Sequence, residues 1–127
     1  MKRYRFDKEV GKDITKFDSK NVLISPITRL MEESIDVMQI ACMHLERDGL
    51  IGGHEAVVPQ MFIVLEGEGI VKGGDREPHR IQKGQLAMWE AGEWHETSSK
   101  DGLTAIVVES DRLKPFSGLQ ELTDEEE

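Results

Sequence analysis

The chain is predicted to fold as one all-β domain, an antiparallel sandwich or barrel. Three observations carry that expectation. Val, Ile, Leu and Thr fall in short runs, Gly, Asp and Pro separate the runs, and tight turns join them, a pattern of many short strands rather than long helices. With 127 residues, 38% of them apolar, the chain suits a single core that needs no staples.

Residues 1–20 are polar and contain Gly11, so they read as an extended arm with room for one edge strand. Asn21–Thr28 (NVLISPIT) is a short β run in which Pro26 limits ladder pairing. The first long strand is expected from about Ser34 to Glu46. Ile35, Val37, Ala41, Met43 and Leu45 share one parity, and Met38, Ile40, Cys42 and His44 the other, so both faces are apolar and the strand is expected to be covered twice. Arg47-Asp48-Gly49 and Gly52-Gly53 read as turns. Met61–Leu65 is a strand that stops at Glu66-Gly67-Glu68-Gly69, and a new strand starts at Ile70. Gly73-Gly74-Asp75 turns the chain into His79–Gln82. Strands at Gln85–Trp89, Trp94–Ser98 and Leu103–Val108 follow, and a short helix capped by Ser117 is expected over Gly118–Glu125.

The formal net charge is −9, which repels a nucleic-acid backbone and argues against nucleic acid as a partner. The charge is uneven: residues 1–20 hold seven Lys/Arg against four Asp/Glu, and Glu121–Glu127 hold five acids and no base. The acidic end reads as a solvated tail. A single cysteine, Cys42, excludes an internal disulfide and suits a reducing compartment. No apolar run approaches the ~20 residues that cross a bilayer, and the start MKRYRFDKEV lacks the apolar core of a secretory signal; no membrane partner and a cytoplasmic location are expected.

The most informative stretch is Gly52–His95. Each half carries a histidine beside a strand-like run, and turn-rich sequence joins the halves. Glycine spacing then fits a known pattern. Gly67 with FIVLEGEGIV (Phe62–Val71) matches the end of one motif whose first histidine falls on His54. Gly84-QLAMW-Glu90-Ala91-Gly92-Glu93-Trp94-His95 matches a second in both glycines and the histidine. On these residues the chain resembles the cupin family over about residues 34–110. That resemblance implies a cupin-type double-stranded β-helix, or jelly-roll barrel: residues 1–33 are an arm and edge strands packed on it, 34–110 its core and 111–127 a C-terminal segment. The family's second histidine is Ala56 here, its acidic ligand Gln60, its proline Glu90 and its asparagine Ser99. A four-ligand metal site therefore does not carry over whole.

What the resemblance leaves is His54, Gln60 and His95, a neutral set for a divalent transition metal such as Fe, Mn, Ni, Cu or Zn. Losing the carboxylate weakens the hold on a dication, so a site without metal is the other reading. Parity with Gln60 puts Phe62 and Val64 on the same strand face, where they line a pocket or simply fill the barrel. Met88 or Trp89 is expected to line the same space, and His44 to enter it from the parity of Met38, Ile40 and Cys42. Two functions stay open: a metal-dependent enzyme of dioxygenase, isomerase or decarboxylase type, and a non-catalytic module that binds or senses a small molecule. No nucleophile–base pair or phosphate loop marks a reaction, so the catalytic residues are unknown and enzyme status is undecided. The two-faced apolar strand and the arm also point to a homodimer.

Overall fold

The computed structural model describes residues 1–31 and 33–123. Among the described residues eleven strands form: β1 (Lys2–Arg5), β2 (Lys12–Asp13), β3 (Leu23–Ile24), β4 (Met38–Leu45), β5 (Gly49–Glu55), β6 (Gln60–Lys72), β7 (His79–Gln82), β8 (Gln85–Trp89), β9 (Trp94–Ser99), β10 (Leu103–Ser110) and β11 (Gln120–Glu121). No α-helix forms among the described residues, only 3-10 turns at 8–10 and 16–18. One sheet runs β11-β1-β8-β6-β10-β4, a second β5-β9-β6-β7, and β2 pairs β3 in a separate ribbon. All the pairings are antiparallel. This is the expected jelly-roll.

β6 is why two sheets close around one core. Its first half pairs β8 and β10, and its second half pairs β7 and β9. The separate strands expected at Met61–Leu65 and Ile70 are thus one 13-residue strand that bends at Gly67. There φ is +83°, and a Cβ would run into the Gly102 carbonyl. Only glycine takes both the conformation and the close approach.

Between the sheets lie Phe62, Val64, Val71, Ile81, Ala87, Trp89, Leu103, Ala105 and Val107, each at most 5% exposed. Full burial of each larger side chain contributes roughly 1.5–3 kcal/mol. A second cluster, Tyr4, Met61, Ile63, Leu86, Met88, Val108 and Leu113, lies on the other face of the first sheet, with Phe6, Ile27, Ile106 and Leu119 packed against it. The two-residue period explains the split: in β6, Phe62 and Val64 point inward while Met61 and Ile63 point outward.

Several expectations are revised. The arm supplies β1, which lies inside the sheet between β8 and β11. The turn expected at Arg47-Asp48-Gly49 forms, closed by the Gly49 N–H on the Glu46 carbonyl, but Gly52-Gly53 lies inside a strand, Gly49–Glu55, paired to β9. Where a C-terminal helix was expected, residues 118–123 hold β11, because the Tyr4 and Arg5 backbone captures Glu121 and Gln120; the rest of that expectation, residues 124 and 125, lies outside the described residues. Among the described residues β4 is an edge strand bonded only to β10, exposed on both faces rather than covered twice.

Candidate functional site

His54 and His95 sit opposite each other in the β5–β9 pairing. A bulge makes this possible. Ile51 pairs with Thr97, and the register shifts by one residue before His54 pairs with His95. Without the extra residue, His54 would point away from Ile51; with it, both share the inner face. Ile51 accordingly packs on the inner core. Gly53 permits the bulge, because a Cβ there would meet the Trp94 indole, only 2.6 Å from its Nε1. The Arg76 guanidinium in turn lies 4.0 Å from the centre of the Trp94 ring.

The two imidazoles are 4.3 Å apart, centroid to centroid, and His95 stacks on Trp89 at 4.7 Å. His54 is exposed on the rim, while His95 is 2% exposed. The Nδ1–H of His54 donates to the Gly52 carbonyl at 2.7 Å, and that of His95 to the Glu93 carbonyl at 3.2 Å. A carbonyl can only accept, so each neutral ring carries its proton on Nδ1 and leaves a lone pair on Nε2. In His95 that Nε2 is buried without a hydrogen-bond partner. Burial is the main cause that pushes the His95 pKa below its ordinary value, and the neighbouring His54 adds to it against the opposing pull of the Glu93 carbonyl. Near neutral pH the site therefore offers a buried acceptor.

The first sheet presents a polar row at the same end of the barrel. Gln39 pairs Glu109, Glu109 pairs Gln60, and Gln60 pairs Trp89. Directly paired residues point to one side of a sheet, so all four face inward with Trp89. Glu109 is near enough to His95 for its charge to favour the imidazolium. Sequence reasoning missed Glu109 and Gln39. The signal was there: Glu109 continues the parity of Leu103, Ala105 and Val107.

Phe62 and Val64 face inward, as parity suggested, but as packed core. Met88 does not reach the histidines. It joins Tyr4, Met61 and Leu86 outside, and its neighbour Trp89 takes the inner place. Nor does the structure bring His44 to them. It is exposed on the β4 edge, its Nε2 3.5 Å from Cys42 Sγ and its Nδ1 3.4 Å from Thr104 Oγ1, and its register partners Thr104 and Glu66 lie off the inward parity. The larger grooves, of about 520, 690 and 540 Å3, are lined by other residues. Neither His54 nor His95 lines any of these grooves.

As a seat for a resident metal the donors fall short. Among the described residues no group of three His, Cys, Asp or Glu could hold an ion. Two imidazoles and the neutral amide of Gln60 carry no charge to offset a dication. The unpartnered Nε2 fits instead a hydrogen-bond donor brought by a ligand.

The model of the cupin domain matches residues 43–109, more than half of the chain. No curated protein sequence matches it. Among solved structures it is similar to a cupin superfamily protein from Desulfitobacterium hafniense, at 16% identity and a TM-score of 0.56 over 65% of this chain and 74% of that one. A cupin-2 domain containing protein from Shewanella frigidimarina is 21% identical, with a TM-score of 0.51 over 65% and 78%. A predicted oxalate decarboxylase from Thermotoga maritima is 22% identical, with a TM-score of 0.51 over 54% and 62%. At these identities the likeness concerns the fold. No helix among the described residues is long and apolar enough to cross a membrane.

Proposed function

Because the chain belongs to the cupin family, we propose that it binds a small polar molecule at the barrel mouth, docked on His54 and His95. One observation carries this reading: the His95 Nε2, buried and unpartnered, beside the exposed imidazole of His54. Leaving a buried acceptor unsatisfied costs about 1–3 kcal/mol, which a ligand N–H or O–H recovers. Glu109 and the amides of Gln39 and Gln60 add further polar contacts, and the carboxylate of Glu109 favours a neutral or cationic donor over a free anion. Trp89, stacked under His95, fixes the ring that receives it.

A second reading has one observation in its favour. Histidines that bind metal commonly give the second ring N–H to a carbonyl, and both rings here do so. In that case His54 and His95, with Gln60 as the third donor, would hold an exchangeable divalent ion. The ion would supply Lewis-acid chemistry.

Histidine side-chain NMR separates the two. Unchelated protein is titrated with Zn2+ alone, and separately with a panel of small amides, polyols and amines. Shifts of His95 on adding an organic probe, lost in His95→Phe, support the first reading. Near-stoichiometric metal in the purified protein, lost in the same variant, supports the second. A His95 signal unmoved by every probe, in metal-free protein, removes both.

A further inference from the structure

The side chains that register and burial place at the mouth, Gln39, His54, Gln60, Trp89, His95 and Glu109, are rich in acceptors and hold no cation. His95 and His54 each give an Nδ1–H to a backbone carbonyl, at 3.2 and 2.7 Å, so both Nε2 atoms keep a lone pair for whatever binds. The Glu109 carboxylate is a third acceptor. Its side chain is half-buried and has no hydrogen bond or ion pair among the described residues. The Trp89 indole offers no donor here, because its N–H is taken by the Lys72 carbonyl at 3.1 Å. Only the amides of Gln39 and Gln60 remain as side-chain donors in this set.

Cations are missing from the walls as well. β4, β5, β8, β9 and β10 contain no Lys or Arg. The one in β6, Lys72, stands at the opposite end of that strand from Gln60 and pairs with Glu96 at 3.7 Å. The charge of Glu109 is therefore unmatched by the strands around it, in a chain whose net charge of −9 gathers cations near its surface.

Taking the mouth as a small-molecule site, as proposed above, we infer that its ligand is a small primary amine held as the ammonium ion, and that Glu109 is the residue that selects it. An –NH3+ head has three N–H donors and no acceptor, which matches two imidazole lone pairs and one carboxylate. Each of those hydrogen bonds is charge-assisted, about twice as strong as one between neutral groups. A carboxylate ligand finds no cation in this set and faces Glu109. An alcohol brings one donor to three acceptors and leaves the Glu109 charge unanswered. Size selects in the same direction: His95 is 2% exposed beside the exposed ring of His54, so only a compact head reaches its Nε2.

The test compares probes of one size by titrating the histidine side-chain NMR signals of the protein as purified, above the ordinary histidine pKa of about 6.5. Propylammonium is expected to move the His95 signals saturably, at least about tenfold more tightly than 1-propanol or propionate. Trimethylpropylammonium keeps the charge without an N–H and isolates simple attraction to the Trp89 face; it is expected to bind about tenfold more weakly than propylammonium. Glu109→Gln is expected to reduce propylammonium affinity by about tenfold or more while leaving that of 1-propanol within about threefold. Circular dichroism checks that this variant folds, and the comparison of probes on the wild type needs no variant. Propanol, propionate or the quaternary ion binding as tightly as propylammonium overturns the ammonium inference and leaves the mouth as a small-molecule site. Undiminished propylammonium affinity in a folded Glu109→Gln does the same. His95 signals that no probe moves overturn both.

Discussion

Replacing His95 by phenylalanine is expected to stabilise the free protein while abolishing ligand capture. The magnitude follows from two opposed terms. The wild-type ring buries an Nε2 without a partner, a cost of about 1–3 kcal/mol, and its Nδ1–H bond to the Glu93 carbonyl at 3.2 Å returns only about 1 kcal/mol. Phenylalanine removes both and retains an aromatic ring over Trp89, where His95 stacks now. The balance is a gain of about 1 kcal/mol, or roughly 3–5 °C in Tm for a chain of this size. His95→Ala has the opposite sign, because deleting the ring opens a cavity at a cost of roughly 2–4 kcal/mol.

The pH profile provides an independent check. Burial lowers the His95 pKa, so as pH falls below about 6.5 the unfolded histidine takes up a proton before the folded one does. Unfolding then binds protons, and stability declines by at most about 1.4 kcal/mol per pH unit until the folded ring titrates too. His95→Phe lacks this decline, so the stability difference between the two proteins widens as pH drops from 7 to 5. Urea unfolding at several pH values measures it. A phenylalanine variant less stable than wild type by more than 1 kcal/mol, or a difference that stays flat with pH, refutes the reasoning.

Gly53→Ala forces a methyl into the Trp94 ring and is expected to cost about 1–3 kcal/mol with altered Trp94 fluorescence. Gly52→Ala, which meets nothing within 4 Å, is the control and should change stability by less than about 0.5 kcal/mol. Gly67→Ala combines a left-handed backbone with a collision at the Gly102 carbonyl, whereas Gly92→Ala, at φ +80°, has open space; chemical denaturation should show the first costing clearly more than the roughly 1–2 kcal/mol of backbone strain in the second. Glu109→Gln removes a charge that favours the His95 imidazolium and should lower the His95 pKa further in an NMR titration. Glu93→Ala strips the acceptor from the Met1 amino group and from the Gly74 and Glu90 N–H groups; a loss of roughly 1–3 kcal/mol with displaced His95 resonances is expected.

The motif spacing in the sequence located both histidines and the strands from β7 to β10, because hairpin glycines and two-residue alternation are local signals. What it hid was non-local. Gly52 and Gly53 look like turn residues, but β9 supplies β5 with a ladder, and Gly53 serves the bulge that aims His54. Gly67 and Gly69 look like the end of a strand, yet they let β6 bend against the Gly102 and Ser98 carbonyls. Alternation also divides a strand into two faces without saying which one is inside. That is why the sequence leaves Met88 and Trp89 as alternatives for the inner place that Trp89 takes, and why His44 on β4, with both faces apolar, is expected inward.

The positions where this chain departs from the two-motif pattern have structural work of their own. Ala56, at the second histidine position, is buried, and its backbone is bonded to both ends of the 92–93 turn: its N–H donates to the Glu93 carbonyl and its carbonyl accepts from Gly92. Glu90, at the proline position, donates its N–H to the Glu93 carboxylate, a bond that proline has no proton to make. Burial opposes the ionisation of Glu93, but the Met1 amine and the two backbone N–H groups outweigh it and hold the carboxyl below its usual range. The turn that leads into His95 is thus fixed by a charged hub in place of a rigid ring. Ser99, at the asparagine position, donates to the Glu68 carbonyl at 2.7 Å and accepts from the Gly102 N–H at 2.9 Å, pinning the β9–β10 turn to the bend of β6. Three substitutions that remove or replace residues of the pattern thus each make backbone bonds that hold the strands and turns around His54 and His95, while the His95 Nε2 itself stays buried without a partner.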